Sequence, residues 1–174
     1  MPSKYNLQTI AQISERKIFI DANILIYLFW PTGETSWETS YATIFRNLLK
    51  QNNELYVDFL IISEVINRVV RIEYAKSQTT LKFKDYRNSP EGQETLADIY
   101  LIIKDNILRQ FSVVEKTFNH QELEQFLMVD ELDFVDKATL SLCQENEFVL
   151  LTNDRDFKSA NIDILTTNPQ ILRN

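Results

Sequence analysis

At 174 residues, with 44% hydrophobic and 25% charged side chains, the chain has the length and composition of one globular domain spanning 1–174. A net charge of −7 supplies no basic field of the kind that drives non-specific DNA binding. One cysteine (Cys143), one histidine (His120) and two separated glycines (Gly33 and Gly92) exclude disulfide frameworks, cysteine-rich zinc sites and glycine-rich phosphate loops, and leave a histidine-centred triad without partners.

The start of the chain, Met1 to Gln12, lacks a basic segment followed by an apolar run, so no secretory signal is expected. Its apolar stretches are too short to span a bilayer, and a cytoplasmic protein without membrane contact is the expectation. Residues 17–21 form a short β-branched and aromatic run that reads as a buried strand ending at Asp21. The apolar stretch 24–29 begins a helix that Pro31 and Gly33 break. Tyr41, Ile44, Phe45, Leu48 and Leu49 make a helical stripe over 39–52, and residues 55–57 a second strand. The spacing of Ile62, Val65, Ile66, Val69 and Val70 predicts a helix over 59–76, with Glu64 and Arg68 on one face. A turn at 88–92 precedes a helix over 93–109, and a third strand covers 111–114. A short helix is expected over 119–127, and another opens at Asp133 with Ala138, Leu140, Leu142 and Cys143 behind it. Strands at 148–152 and 162–166 complete five. Strands separated by helices imply α/β architecture with a mainly parallel sheet, whose ligand sites lie beyond the carboxyl ends of the strands.

Carboxylates are the abundant chemistry. Asp21 and Asp154 each follow an apolar strand, and Glu64 and Asp136 each sit on a helix within an apolar stretch. Strand-end acids in such surroundings are costly unless something pairs with them, and Asp21 is expected to lack a protein partner. Neighbouring carboxylates raise each other's pKa, and a divalent cation resolves that repulsion. Asp133 and Asp136 make a D-x-x-D helix start, which assigns Asp133 to the cap and Asp136 to the metal.

The strings Phe19-Ile20-Asp21-Ala22-Asn23-Ile24-Leu25, Ser63-Glu64, Leu132-Asp133-Phe134-Val135-Asp136-Lys137-Ala138 and Leu151-Thr152-Asn153-Asp154-Arg155-Asp156-Phe157 resemble, in order, the successive acidic motifs of PIN domains. The resemblance spans residues 18 to 157 and implies a three-layer α/β/α sandwich and an endoribonuclease dependent on Mg²⁺ or Mn²⁺, with one or two ions. It also implies a toxin of the VapC type, held by a small antitoxin and often a homodimer. Carried over by position, Asp21, Glu64, Asp136 and Asp154 match the metal-binding acids, Asn23 and Thr152 the supporting polar groups, and Asp156 a further acid that binds a second ion or braces the loop. Two departures stand out. About 70 residues separate Glu64 from Asp136, and Lys137 replaces the small residue common there, so its charge is expected to damp metal affinity or touch RNA.

Between Val65 and Arg87 six cations (Arg68, Arg71, Lys76, Lys82, Lys84 and Arg87) face two acids, Glu73 and Asp85. That excess suits contacts to an RNA backbone, although charge runs are commonly solvated helix faces. His120 and Cys143 read as structural. An aspartyl-nucleophile phosphatase would need an acid where Asn23 stands. The alternative from another class is a PIN-fold module that binds RNA or protein without cleaving.

Overall fold

The computed structural model describes residues 2–31, 33 and 35–173. Six parallel strands form its sheet, in the order β1-β6-β5-β2-β3-β4. Strand β1 (Lys4–Tyr5) is an edge, and β2 (Lys17–Ile20) leads directly into helix α1 (Ala22–Phe29). Helix α2 (Thr35–Lys50) then returns the chain to β3 (Glu54–Val57). A long excursion follows, through α3 (Phe59–Lys76), α4 (Phe83–Asn88) and α5 (Pro90–Ile102), which continues through a π-helical turn at Ile103–Ile107 into α6 (Leu108–Gln110). After β4 (Ser112–Val113) come α7 (His120–Phe126), α8 (Phe134–Asn146), β5 (Val149–Leu151), a 3₁₀ turn (Arg155–Ser159), β6 (Ile164–Leu165) and α9 (Pro169–Leu172).

From β2 the chain steps outward through β3 to β4, then crosses back to β5 on the other side of β2 and steps outward again to β6. Right-handed crossovers in opposite directions place the two groups of helices on opposite faces, which gives the three-layer sandwich. Helix α1 packs on α2 and α3, and α3 on α5. The strand order reverses between β2 and β5, and such a reversal opens a crevice at the carboxyl ends. Both central strands are apolar and buried, with Ile18, Phe19, Ile20, Val149, Leu150 and Leu151 at 0% exposure, as strands covered on both faces require.

The structure extends the expected elements where local signals were weak. The sixth strand, β1, is two residues long and exists through pairing of Lys4 and Tyr5 with Ile164 and Leu165. Helix α1 begins at Ala22 rather than Ile24, because Asp21 caps it. Helix α4 lies in the stretch that leads to the expected turn at 88–92, and that turn shrinks to Ser89, whose hydroxyl accepts from the Gly92 N–H at 3.2 Å. Gly92 is helical, and a Cβ there would stand 2.0 Å from the Tyr86 carbonyl oxygen, so α4 can abut α5 only through glycine. Among the described residues no helix is long and apolar enough to cross a membrane.

Candidate active site

The register of the two central strands builds the first half of the site. Ile20 stands opposite Leu151, so the next residues, Asp21 and Thr152, emerge side by side from the carboxyl end. The Asp21 N–H donates to the Leu151 carbonyl at 3.1 Å. Asp21 is 9% exposed and well partnered, contrary to the expectation of an isolated acid. It accepts from the Thr152 hydroxyl at 2.5 Å, the Asn23 amide at 2.7 Å and the Ala22 N–H at 2.7 Å. A buried carboxylate takes such donors because desolvation without them is expensive. The Thr152 hydroxyl oxygen in turn accepts the Asp154 N–H at 2.9 Å, which fixes the next acid relative to the first. Asn23 accepts the Asn153 N–H at 3.2 Å and so ties the same two segments.

The second half arrives on helices. Asp58, directly after β3, caps α3 by accepting the Ile61 N–H at 2.8 Å, and α3 then carries Glu64. Asp133 caps α8, accepting from the Val135 and Asp136 N–H groups at 2.8 Å each, and so serves as the expected cap. Asp136 sits half-buried in the first turn.

Electrostatics joins the four acids. Burial pushes Asp21 up to about 6 against the lowering effect of Thr152, and the charges of Glu64 and Asp154 push it further. Asp136 is pushed up to about 7, by burial first and then by Asp133, Asp154 and Asp21. Glu64, Asp136 and Asp154 therefore all lie within the field of Asp21. Among the described residues, however, no three acid, histidine or cysteine side chains close to the spacing of a shared ion. The arrangement is a loose ring of carboxylates, and Glu64 is turned to Arg68 at 3.1 Å. The donor set still suits a hard divalent cation. It is all oxygen, it is crowded with like charge, and its two most perturbed members gain most from a neighbouring positive charge.

Other expected residues fall elsewhere. Asp156 is exposed, faces Arg155 at 3.7 Å and is not among the charges that raise Asp21 and Asp136; its backbone N–H donates to Asp154 at 3.0 Å, within the turn that Asp154 caps. Lys137 is a correction: it is 8% exposed and its ammonium is committed within the chain. Its ammonium donates to the carbonyls of Phe126 (3.3 Å) and Met128 and pairs with Asp130 at 3.0 Å, so it pins the loop before α8. Three of the six cations expected to face RNA have partners within the chain. Arg68 holds Glu64, Arg71 stands 4.3 Å over the Phe83 ring, and Lys76 pairs with Glu73 at 2.9 Å. A helix rises 1.5 Å per residue, which puts Lys76 roughly 18 Å along α3 from Glu64. Lys82, Lys84 and Arg87 are exposed on α4. His120 is exposed and pairs with Glu124, and the Cys143 thiol is buried, with its pKa raised by that burial.

Sequence reasoning missed a polar hub beneath the site. Tyr41, read as part of an apolar stripe, is fully buried, and its hydroxyl meets the Thr152 carbonyl (3.2 Å), Asn153 Oδ1 (2.8 Å), Thr166 Oγ1 (3.2 Å) and the Thr167 N–H (3.3 Å). Asn153 also donates to the Tyr27 hydroxyl at 3.1 Å and accepts the Asn168 amide on its carbonyl at 2.7 Å. The readable signal was Asn168-Pro169, a helix cap followed by proline at the first helical position, which marks a fixed turn beside the strand end.

Against known families, residues 18–162 match the PIN domain. The chain belongs to the PIN domain family. PIN domains are as a rule nucleases, and such nucleases typically use divalent metals. No curated protein matches this PIN domain significantly. Among solved structures, the crystal structure of PAE2754 from Pyrobaculum aerophilum is similar at 16% identity and a TM-score of 0.48, covering 99% of this chain and 97% of that one.

Proposed function

We propose that this PIN domain is a metal-dependent endoribonuclease that hydrolyses RNA phosphodiester bonds. The observation that carries the reading is the mutual field of Asp21, Glu64, Asp136 and Asp154 at the strand-order reversal. Acids perturbed as Asp21 and Asp136 are, in a crevice, mark sites of chemistry more often than sites of structure. Asp21, Glu64, Asp136 and Asp154 would hold one or two Mg²⁺ or Mn²⁺ ions. A cation bound there lowers the pKa of water and takes up charge on the phosphate and leaving oxygen. The chain's own residues set the geometry: Thr152 and Asn23 orient the Asp21 carboxylate, the Thr152 hydroxyl locates Asp154, and the Asp133 cap aims the first turn of α8. Water attacks phosphorus and the bond to the 3′-oxygen breaks, leaving a 3′-hydroxyl and a 5′-phosphate.

A toxin role with a small protein antitoxin, and self-association as a homodimer, belong to the same proposal. Their support is an exposed apolar strip at the site's rim, where Leu127 is 71%, Met128 68% and Phe134 45% exposed and Val129 is bare. Incubation of labelled single-stranded RNA with the protein and Mn²⁺, with end-group analysis, tests the activity. Products bearing 2′,3′-cyclic phosphate, or cleavage that persists in chelator, would reject the metal-assisted hydrolysis.

A further inference from the structure

Beside the acid ring lies a pocket of about 620 Å³, lined by Glu131, Arg155, Asp156, Lys158, Ser159 and Gln170. Its walls continue the segments that carry two of the acids. Arg155 to Ser159 follow Asp154 without a break, and Glu131 stands two residues before the cap of the helix that bears Asp136. Chain continuity therefore sets part of the pocket's lining next to Asp154. The 3₁₀ turn that bears its cations is anchored: Asp154 caps it, Phe157 is 1% exposed, and α9 packs against it. Asn168, the cap of α9, fastens the Asn153 carbonyl just before it.

The cations here also differ from those of α3. Arg155 has only the 3.7 Å contact with Asp156, and Lys158 makes no ion pair among the described residues. Arg68 and Lys76 are committed to acids on their own helix. Uncommitted charge on an anchored turn is what recognises a phosphate without a reorganisation cost. Glu131 and Asp156 place acceptors in the same space, suited to ribose hydroxyls. The volume falls in the range of small-ligand sites, about 300–1,000 Å³. The larger pocket, about 820 Å³ and lined by Arg16, Lys17, Phe148 and Asp163 among others, opens where the strands begin, and its Arg16 is already paired with Asp163 at 3.1 Å.

We infer that the pocket beyond Asp154 is a nucleotide subsite, in which Arg155 and Lys158 hold the phosphate next to the scissile one and Glu131 and Asp156 accept hydrogens from its ribose. The inference rests on the nuclease reading for its role, but its ligand chemistry can be tested separately.

The test compares steady-state RNA cleavage by wild type, Arg155→Gln/Lys158→Gln and a control, Lys50→Gln/Lys104→Gln, at exposed lysines on segments that lead into the strand starts, across a salt series. The pocket variant should raise KM about tenfold, keep kcat within about twofold, and flatten the dependence of log KM on log salt by about one. The control should leave all three nearly unchanged, and surface substitutions of this kind leave melting nearly unchanged. Equal KM rises in both variants, or no rise in the pocket variant, would overturn the subsite while leaving the nuclease intact. If wild type does not cleave, the nuclease reading fails. Titration with adenosine 5′-monophosphate, followed by amide chemical shifts, then decides the pocket: shifts confined to residues 131, 155–159 and 170 that vanish in the pocket variant support it, and their absence in wild type overturns it.

Discussion

The two rims that supply acids to this site are held in opposite ways. The strand rim, with Asp21, Thr152 and Asp154, emerges from the most buried strands and stands on the Tyr41 hub, where the strand-end polar groups meet partners. The helix rim, with Asp133 and Asp136, lies beside exposed Leu127, Met128, Val129 and Phe134 and is secured mainly by one helix cap and by Lys137 gripping the preceding loop. Strand register leaves the first rim no freedom without stranding buried hydrogen-bonding groups, at about 1–3 kcal/mol each. The second carries its acid at a helix start whose outer face, at Phe134 and Val135, stays exposed. The difference teaches that the strand rim is fixed by register between distant segments, while the helix rim is fixed by a cap and by contacts local to α8 and its preceding loop.

The largest expected effect comes from removing charge at the fixed rim. Asp21→Asn should reduce Mn²⁺-supported RNA cleavage by at least about a hundredfold, read by product formation, as for a group acting directly on the reacting centre. Cleavage near the wild-type level would remove Asp21 from the site.

Next is the scaffold of that rim. Tyr41→Phe deprives Asn153, Thr166 and Thr167 of a shared partner and should cost about 1–3 kcal/mol in a urea midpoint measurement. Lys137→Met should cost less, because the Phe126 and Met128 carbonyls it releases lie in a loop that water reaches. The reverse ranking would mean that the helix rim is the rigid one.

A smaller effect separates charge from capping at the helix rim. Asp133→Ala should lose about 1 kcal/mol with its cap, while Asp133→Asn keeps most of that stability. Both remove the neighbouring charge that most raises Asp136, so the acid limb of the pH–rate profile should move to lower pH in both. An unmoved limb would detach Asp136 from the rate-controlling ionisation.

Stability in chelator should also depend on pH. Asp21 at about 6 and Asp136 at about 7 bind protons more tightly folded than unfolded, where the carboxylate value is near 3.8. The folded protein therefore holds more protons between roughly pH 4 and 7, and these two groups lower stability as pH rises through that window. Asp136→Asn should melt like wild type near pH 4 and above it by pH 8. A difference that shrank with rising pH would contradict the sign.

The elements that carry Asp21, Glu64, Asp133, Asp136 and Asp154 were legible because local signals report them. Each acid follows an apolar strand or sits at a set place in an apolar-periodic helix, and hydrophobic periodicity is a short-range property of the chain. The parallel α/β class was legible for the same reason. Tyr41 was not, because nothing in a helical stripe distinguishes a ring buried for its carbon from one buried for its hydroxyl. Lys137 was misread, because which way a long cation folds depends on carbonyls up to eleven residues away. The two-residue strand β1 exists only through a partner 160 residues on. Chain-local patterning thus determined which acids exist and on what elements. Only tertiary packing decided which groups steady them and how tightly they close, because those outcomes depend on contacts between segments that the sequence keeps far apart.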